Sequence, residues 1–513
     1  MRYFTFIVFV IVLVSLKPVE AQDNDSREAS GSYFVQAATT ALSTANRAPF
    51  WLQTNQYGTI PIKPQAGLFS AGVKYRVPLS KYNNNWSVDG AFEGLIQTQN
   101  PNVKGIITEG YLRVNFKNWE LYGGRKREYV GLSDTLTGTG SLNWSGNSLP
   151  IPQIHIGTKK FIGVPGIGKW LKYKAYFAHG WFENYNSFTK NAYLHQKGFY
   201  LKFGQENWLI NLYGGLSHFA QWGGYAPDLK GDPGILSKDG QFNDSWFAYW
   251  NGVVLAKSMQ VRYGYKGYPL DDFISIDVNR IGNHLGTIDA AVEVKHCDFN
   301  LFFYRQSMFD DGSLFYLINI DDGLNGVRYI NHIPQATDVH IERIGFEYLS
   351  TISQGGPNFL IEDPLKRGGD NYFNHSQYQD GWTYFDRSIG TPFIQPDSDL
   401  KESVRTNVRG MPNNRVQVFN LAFLGKYKKR ATWEIRGSFS RNFGTYNNVG
   451  QVPYVNGPFK QFSGLIRLGL KTSWLGGSEF TGALALDRGE MYDNTLGAYL
   501  GIRKTGMIGG RYR

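Results

Sequence analysis

The sequence predicts an all-β fold, a transmembrane antiparallel β-barrel of roughly 16 to 18 strands. Apolar and polar residues alternate with period two along many segments. The 513 residues include 60 glycines and one cysteine, and 16% are aromatic. After residue 21, no stretch approaches the roughly 18 continuous apolar residues that a helical membrane span needs. Cys297 has no disulfide partner, so we expect the closed hydrogen-bond ladder of a barrel to provide stability.

Residues 1–21 are typical of a secretory signal. Arg2 supplies the positive charge, and an apolar run follows it at residues 4–16. Small residues precede the expected cleavage site, which lies after Ala21. The apolar run is short for a transmembrane anchor. Gln22 would become the new N-terminus, and because it is not a cysteine we do not expect lipid attachment there.

The alternation is clearest in residues 69–79. Its apolar set is Phe69, Ala71, Val73, Tyr75, Val77 and Leu79, with Ser70, Gly72, Lys74 and Arg76 in between. Segments 86–98, 112–116, 259–266 and 431–439 alternate in the same way. Successive strand side chains point to opposite faces, so each segment has one apolar and one polar face. A soluble sandwich alternates too, but aromatic residues at strand ends and full charges on the polar face favour a barrel.

The connections also favour an outer-membrane barrel. Tight turns are predicted at 116–119 and 296–299. Long polar connections are predicted at 216–245, 268–285, 305–336, 351–413 and 441–460. Short turns at one rim and long loops at the other are typical of outer-membrane barrels.

The domain organisation follows from these patterns. Residues 1–21 are the signal peptide. Residues 22–66 contain a first strand and a plug-like stretch, since residues 46–65 are rich in Pro and Asn and do not alternate. We expect this stretch inside the barrel or across its periplasmic mouth. Residues 67–513 form the barrel, whose extracellular loops include the long loop 351–413.

Other function classes lack support. The net charge is +11, but the basic residues are spread singly, so nucleic acid is not an expected partner. The phosphate-loop-like stretch 163–169 is followed by Trp170 instead of Ser or Thr and is interpreted as a turn. No metal-site spacing and no nucleophile elbow is present, so we expect no enzyme, no cofactor and no metal site. The acidic turns 310–312 and 321–323 lack the full calcium-loop pattern, and a calcium ion there stays an alternative.

Residues 367–385 are the candidate binding segment, because flat aromatic rings and hydrogen-bonding side chains together suit sugars. The candidate residues are Tyr372, Tyr378, Trp382, Tyr384, Asp370, Asn371, His375 and Arg367. The alternative is that the aromatic rings pack the long loop onto itself or into the barrel mouth.

Inward-facing basic residues are a second candidate feature. Arg76, Arg113, Arg262 and Arg436 could line a path for polyanions. The favoured alternative is that they form ion-pair ladders with lumen carboxylates. These carboxylates are Asp89, Glu93, Glu293 and Glu434.

Several segments resemble the Wzi-type capsule-assembly family of outer-membrane proteins, in its Bacteroidetes-like form. They are residues 49–60, 111–132, 141–157, 193–204, 214–224, 370–393 and 413–418. The resemblance implies an eighteen-stranded barrel partly filled by its N-terminal segment. It also implies a lectin-like, non-enzymatic role in holding capsular or other surface polysaccharide at the cell surface. The other expected partners are outer-membrane lipid and the barrel-assembly machinery, although the C-terminus lacks the usual terminal Phe.

Two other functions stay open. One is an outer-membrane channel for a small solute or oligosaccharide. The other is a surface hydrolase or acyltransferase, for which the sequence has no motif.

Overall fold

The computed structural model describes residues 29–508, apart from short internal segments. Those segments are 44–46, 64–65, 81–84, 100–101, 186, 258–273, 279, 311–312, 336, 359–367, 408, 429, 449–450 and 452. The predicted signal peptide, the predicted strand 259–266, Arg262 and Arg367 lie outside the described residues.

The wall of the barrel is built from amphipathic strands. They are β1 (Ser30–Leu42), β2 (Ala66–Pro78), β3 (Trp86–Gln99), β4 (Asn102–Phe116), β5 (Trp119–Arg125), β6 (Gln153–Thr158), β7 (Ile162–Gly163), β8 (Leu171–Trp181), β9 (Tyr193–Phe203), β10 (Ile210–Trp222), β11 (Asn283–Lys295), β12 (Phe299–Phe309), β13 (Gly323–Asn331) and β14 (Val339–Ser350). After a small hairpin of β15 (Thr383–Tyr384) and β16 (Arg387–Ser388), the wall continues with β17 (Val416–Tyr427), β18 (Ala431–Asn442), β19 (Phe459–Lys471), β20 (Ser478–Gly489) and β21 (Thr495–Ile508).

Neighbouring strands pair antiparallel around the whole wall. β1 pairs with β2 on one side and with β21 on the other, which closes the sheet. β6 and β7 both pair with β8 and occupy one strand position, so the closed barrel has 18 strands. The predicted fold class is confirmed. The barrel begins at Ser30 instead of the expected residue 67, because the first strand is itself part of the wall.

The outer surface of the wall is apolar, as the alternation predicts. Val73, Tyr75 and Val77 of β2 are about 40% exposed, while Asp89 and Glu93 of the neighbouring strand are buried inside. Trp86 and Phe116 stack at one end of the wall, with ring centroids 4.4 Å apart. This surface has the apolar band and aromatic girdle of an outer-membrane barrel.

Helical structure is confined to the connections. The α-helix α1 covers Phe50–Gln53, and a π-helix covers Ala248–Val254. Short 3-10 helices lie at Pro227–Leu229, Ser275–Val278, Ser313–Tyr316, Asp397–Asp399, Glu402–Val404, Tyr446–Asn448, Tyr454–Asn456 and Trp474–Gly476. Among the described residues, no helix is both long enough and apolar enough to cross a membrane.

The two rims of the barrel differ. One rim, the short-turn rim, carries the tight turns after β4 and β11 that the sequence predicts, together with the start of β1 and the end of β21. The opposite rim, the loop rim, carries the long connections 126–152, 223–282 and 351–415. The last strand extends to Ile508.

Three connections fold from the loop rim into the lumen: residues 47–63, 126–152 and 368–414, which we call the plug segments. Phe50, Trp51 and Leu52 of α1 are buried there, and the Trp51 indole donates to Ser438 Oγ on the inner wall (2.9 Å). The N-terminal stretch therefore occupies the lumen, one of its two expected positions. It enters from the loop rim and not from the periplasmic mouth, because β1 ends at the loop rim.

Candidate functional site

The plug segments hold one another through main-chain hydrogen bonds. Thr391 N donates to Leu142 O (2.7 Å), and Ser145 N donates to Ile389 O (3.0 Å). Tyr57 N donates to Gly146 O (2.8 Å), which ties the N-terminal plug segment to the second one. All three segments share one apolar cluster with inward-facing wall residues. The lumen therefore contains a packed core.

Three of the aromatic candidates for sugar stacking lie in this core, and Tyr378 lies in a separate apolar cluster with Phe188 and Phe242. Tyr372, Tyr378, Trp382 and Tyr384 are at most 3% exposed. The Trp382 indole donates to Asn143 O (2.9 Å), and the Tyr372 hydroxyl donates to Asp322 (2.9 Å). Buried rings offer no face to a polysaccharide. In this structure they have the packing role that the sequence left as the alternative, and the expectation of exposed rings is corrected.

The polar candidates divide into anchors and cleft residues. Asp370 is buried and accepts hydrogen bonds from Ser313 Oγ (2.7 Å) and Asn319 Nδ2 (3.1 Å), so it anchors the loop. Asn371 and His375 are partly exposed and line the wide cleft described below. The structure therefore brings two of the predicted residues to an open surface.

Two of the four candidate lumen arginines, Arg113 and Arg436, are in ion pairs of the kind that the ladder interpretation predicts. Arg113 bridges Asp89 (2.8 Å) and Glu120 (2.7 Å). Arg436 Nε lies 3.1 Å from Glu434, which also pairs with Arg467 (2.8 Å). Arg76 faces the same lumen from β2 and is partly buried. The Arg113 pairs and the Arg467–Glu434 pair connect neighbouring strands of the inner wall, whereas Arg436 and Glu434 lie on the same strand. Within the described residues these pairs do not form a continuous basic path.

A wide cleft, the rim cleft, opens at the loop rim above the plug and has a volume of about 1360 Å³. Its walls come from the connections 223–282, 368–414 and 443–458. Three arginines line it, Arg280, Arg405 and Arg409, with Asp310 as the one acidic residue among its described lining residues. Its amide side chains include Asn371, Asn374, Gln379, Asn407, Asn447 and Gln451. The cleft is thus rich in hydrogen-bond donors and net basic.

A smaller cleft of about 420 Å³, the side cleft, adjoins it. Arg405, Asn407 and Arg409 line both clefts. In the side cleft Tyr185 and Phe385 stack with centroids 4.7 Å apart, and Tyr185 is 37% exposed. Lys104 Nζ lies 4.4 Å from the Tyr185 ring centroid. The side cleft therefore supplies an open aromatic ring beside the polar rim cleft.

Sequence reasoning missed Arg280, Arg405, Arg409 and Tyr185. Each is an isolated residue in a polar connection, and no spacing marks it. They come together because three separate connections meet above the plug. Phe385 lay inside the predicted segment 367–385, where its aromatic character was the signal.

Two groupings among the described residues could hold a metal ion by residue type. His296, Cys297 and Asp298 are exposed on a short turn. Glu120, Glu128 and His155 meet in the lumen, but Lys126 Nζ lies 3.2 Å from both carboxylates, and Arg113 also pairs with Glu120 (2.7 Å). These lumen residues therefore form an ion-pair network.

Asp322, in one of the predicted acidic turns, is buried. Its carboxylate accepts the main-chain N–H groups of Ser353 (2.9 Å) and Gln354 (2.6 Å). These bonds fasten the start of the connection 351–415 to the neighbouring loop, so Asp322 has a structural role here.

His375 makes the 368–414 plug segment sensitive to acid. Burial lowers the pKa of His375 from 6.5 to about 4, and its Nδ1 accepts a hydrogen bond from Gln377 N (3.2 Å). In the opened loop the His375 imidazole binds a proton at higher pH than it does in the folded loop. Protonation therefore favours the opened loop, and the folded loop loses stability as pH falls from 6.5 toward 4. We expect proteolysis within this segment to rise about tenfold over that interval, less than the full pKa difference implies because His375 is partly exposed.

Limited proteolysis of the detergent-purified barrel at several pH values checks this prediction, with a protease active throughout the range. His375→Asn keeps an acceptor for Gln377 N but does not titrate, so its cleavage rate should not change with pH. A pH dependence that persists in the variant would contradict the assignment to His375.

Comparisons with known proteins agree with the fold. The sequence matches no family model and no curated protein. The structure is similar to that of Wzi, which is described as an outer-membrane protein involved in group 1 capsule assembly in Escherichia coli and as a carbohydrate-binding β-barrel. The TM-score is 0.55 and the sequence identity is 14%, and the match covers 92% of this chain and 83% of Wzi. Pseudomonas aeruginosa OccK5 (TM-score 0.46, 10% identity, 94% and 99% covered) and OprD (TM-score 0.46, 8% identity, 96% and 98% covered) are more weakly similar. The likeness to Wzi shows that this chain has an outer-membrane β-barrel fold.

Proposed function

We propose that this protein is an outer-membrane lectin-like barrel that binds capsular or other surface polysaccharide at the rim cleft and retains it on the cell surface. The observation that carries the proposal is the rim cleft itself, a wide polar surface at the loop rim above a filled lumen. The carbohydrate-binding description of the structurally similar Wzi supports the same class of ligand.

The chemistry of the rim cleft suits an anionic polysaccharide, whereas the side cleft is net acidic, since Glu183, Asp380, Asp386 and Asp397 line it beside Arg405 and Arg409. Amide side chains both donate and accept hydrogen bonds, as the hydroxyl groups of sugars require. Exposed arginines pair with uronate or phosphate groups through two parallel hydrogen bonds. Tyr185 provides a ring for the apolar face of a sugar. No catalytic step is needed for such a role.

The packed lumen favours this role over that of a channel. The wall encloses Phe219, Trp144 and Trp382 in one apolar cluster, and Phe219 and Trp144 stack 5.7 Å apart. An apolar cluster packed at protein density leaves no room for a file of water at its own level of the lumen, and polar cavities of about 370 and 290 Å³ border it. We therefore expect the purified protein to show no steady conductance in planar bilayers. Stable, reproducible conductance steps would support the channel alternative instead.

We expect the double variant Arg405→Gln/Arg409→Gln to bind polysaccharide about tenfold more weakly, because two solvent-exposed charge-assisted contacts together contribute about 1.4 kcal/mol. Isothermal titration of the detergent-purified barrel with polysaccharide extracted from the producing strain measures this change. The matched control is Lys426→Gln/Lys428→Gln, which removes the same charge at the short-turn rim. An equal loss of affinity in both double variants would argue against the rim cleft.

Deleting the gene tests the proposed role in the cell. Polysaccharide should move from the cell surface to the medium while total synthesis stays unchanged. Complementation with the Arg405→Gln/Arg409→Gln variant should restore retention only in part. Full retention of every surface glycan in the deletion strain would refute the proposal.

A further inference from the structure

Four histidines lie on the outer face of the wall, where strands β8 to β11 approach the loop rim. They are His179, His195, His218 and His284. In β9 the outward residues Phe199, Leu201 and Phe203 are exposed, while Tyr200 is buried against the plug. His195 has the same parity as these outward residues, and so does Lys197. These four histidines, which we call the histidine band, thus occupy outward positions that continue the lipid-facing surface.

Three of the outward histidines are nevertheless buried, and His179 is partly buried. His195 and His284 are at most 3% exposed, and His218 Nε2 lies 2.9 Å from His284 Nδ1. Neither ring nitrogen of His195 has a hydrogen-bond partner within the described part of the chain. Without a cover these polar groups would face hydrocarbon, which is unfavourable for polar groups.

The cover is the segment 246–255, which contains the π-helix and which we call the outer flap. Tyr249 stacks on Trp222 of β10 (5.0 Å between centroids) and lies edge-on to His195 (5.8 Å). Lys197 Nζ donates to Val254 O at the end of the π-helix. The flap and the outer wall share a small apolar cluster separate from the plug core.

A glycine allows this close packing. A Cβ atom on Gly252 would lie 2.8 Å from Ile281 Cβ, so only glycine fits this position without a shift. The flap is therefore held against the outside of the barrel by the Tyr249 ring and by the main-chain carbonyl of Val254.

The free side of the flap is strongly apolar. Trp246 is 72% exposed, Trp250 is 43% exposed and Leu255 is 57% exposed. Tryptophan is enriched where a membrane protein meets the boundary between acyl chains and headgroups. The flap lies outside the wall, above the exposed Phe199 and Leu201, and so continues the apolar belt toward the loop rim.

We propose that the outer flap is a lipid-contacting element: its Trp246–Trp250–Leu255 side lies in the acyl–headgroup boundary of the outer leaflet, and its other side shields the histidine band. The flap replaces a stretch of wall whose own outward side chains are too polar for that position. The partner is the lipid itself, and the interaction does not depend on polysaccharide binding.

Nitroxide accessibility tests the proposal on the full chain. In a Cys297→Ser background, spin labels are attached at Trp246→Cys and at Leu255→Cys, and the protein is reconstituted in vesicles of phosphatidylcholine and phosphatidylglycerol. Leu201→Cys is the lipid-facing control. Val455→Cys, 52% exposed on another loop-rim connection, is the control for water. We expect both flap labels to lose contact with a water-soluble nickel chelate to the level seen at position 201, while remaining accessible to oxygen. Nickel accessibility equal to that at position 455 would overturn the proposal.

A second measurement does not need cysteine variants. Brominated lipids quench tryptophan fluorescence on contact. The wild-type protein should lose more fluorescence than the Trp246→Phe/Trp250→Phe variant when brominated chains replace ordinary ones. Equal quenching of the two proteins, both shown to be folded by their heat-dependent gel mobility, would also overturn the proposal.

Discussion

Replacing Arg47 with methionine should lower the free energy of unfolding by about 3 to 5 kcal/mol, because it leaves two buried carboxylates without their cation. Arg47 Nε lies 2.7 Å from Asp399, and a terminal guanidinium nitrogen lies 3.1 Å from Asp487. All three side chains are at most 6% exposed. The cluster joins the N-terminal plug segment, the plug segment 368–414 and β20, so its loss should loosen the plug as well. Urea unfolding of the barrel in detergent micelles, followed by tryptophan fluorescence, measures the change.

The control is Lys426→Met, which breaks the exposed ion pair with Glu342 and should change the free energy of unfolding by no more than about 1 kcal/mol. Adding Asp399→Asn to the Arg47→Met protein should recover part of the loss, because one unpaired charge disappears. Similar destabilisation by Arg47→Met and Lys426→Met would contradict the role of the buried cluster.

Truncating Trp382 to alanine should have a comparable effect, about 3 to 5 kcal/mol, because it opens a cavity in the plug core. Trp382 is fully buried, and its ring lies 6.1 Å from that of Phe219 on the inner wall. The truncation also leaves Asn143 O without the hydrogen bond that the Trp382 indole N–H donates. We expect a lower urea midpoint and faster proteolytic cleavage within residues 368–414.

Phe315→Ala is the control for this truncation, since Phe315 is 84% exposed on a loop-rim connection. Its removal should leave the urea midpoint within the small range of surface substitutions, about 0.5 kcal/mol. If Trp382→Ala changed the urea midpoint as little as Phe315→Ala, Trp382 would not be a packing residue. The interpretation of its ring as a sugar-stacking surface would then be favoured again.

The wall of the barrel could be predicted because the signal is local. In residues 69–79 each side chain has one of two directions, so the alternation alone separates the lipid face from the lumen face. The inner ion pairs follow from the same parity: Arg113 and Asp89 face the lumen on adjacent strands and are directly paired in register. Local rules of this kind need no knowledge of distant contacts.

The burial of the aromatic residues in 367–385 could not be predicted in the same way. Tyr372 and Trp382 have the composition of a binding surface, but also that of a core. Which role applies depends on whether another segment covers them. Here Trp382 contacts residues 126–152, and Tyr372 contacts Asn319 and Asp322. The hydrophobic effect is non-directional, so composition does not identify the covering segment.

The rim from which the N-terminal plug segment enters the lumen depends on whether Ser30–Leu42 belongs to the wall. Once Ser30–Leu42 is a wall strand that starts at the short-turn rim, the chain must leave it at the loop rim. When residues 22–66 are treated as a separate segment, the rim at which the first strand ends stays undetermined. The residues of the rim cleft were out of reach for a different reason, since Arg280 and Arg405 belong to connections that meet only in the folded barrel.

The seam between β1 and β21 joins residues from opposite ends of the chain, such as Tyr33 and Gly506. Contacts so remote in sequence form late, because the intervening chain must first be ordered. The plug leaves no space for a segment to enter a finished cylinder. We therefore expect the three inward connections to fold before the β1–β21 seam forms, so that the last step of assembly closes a barrel whose lumen is already occupied.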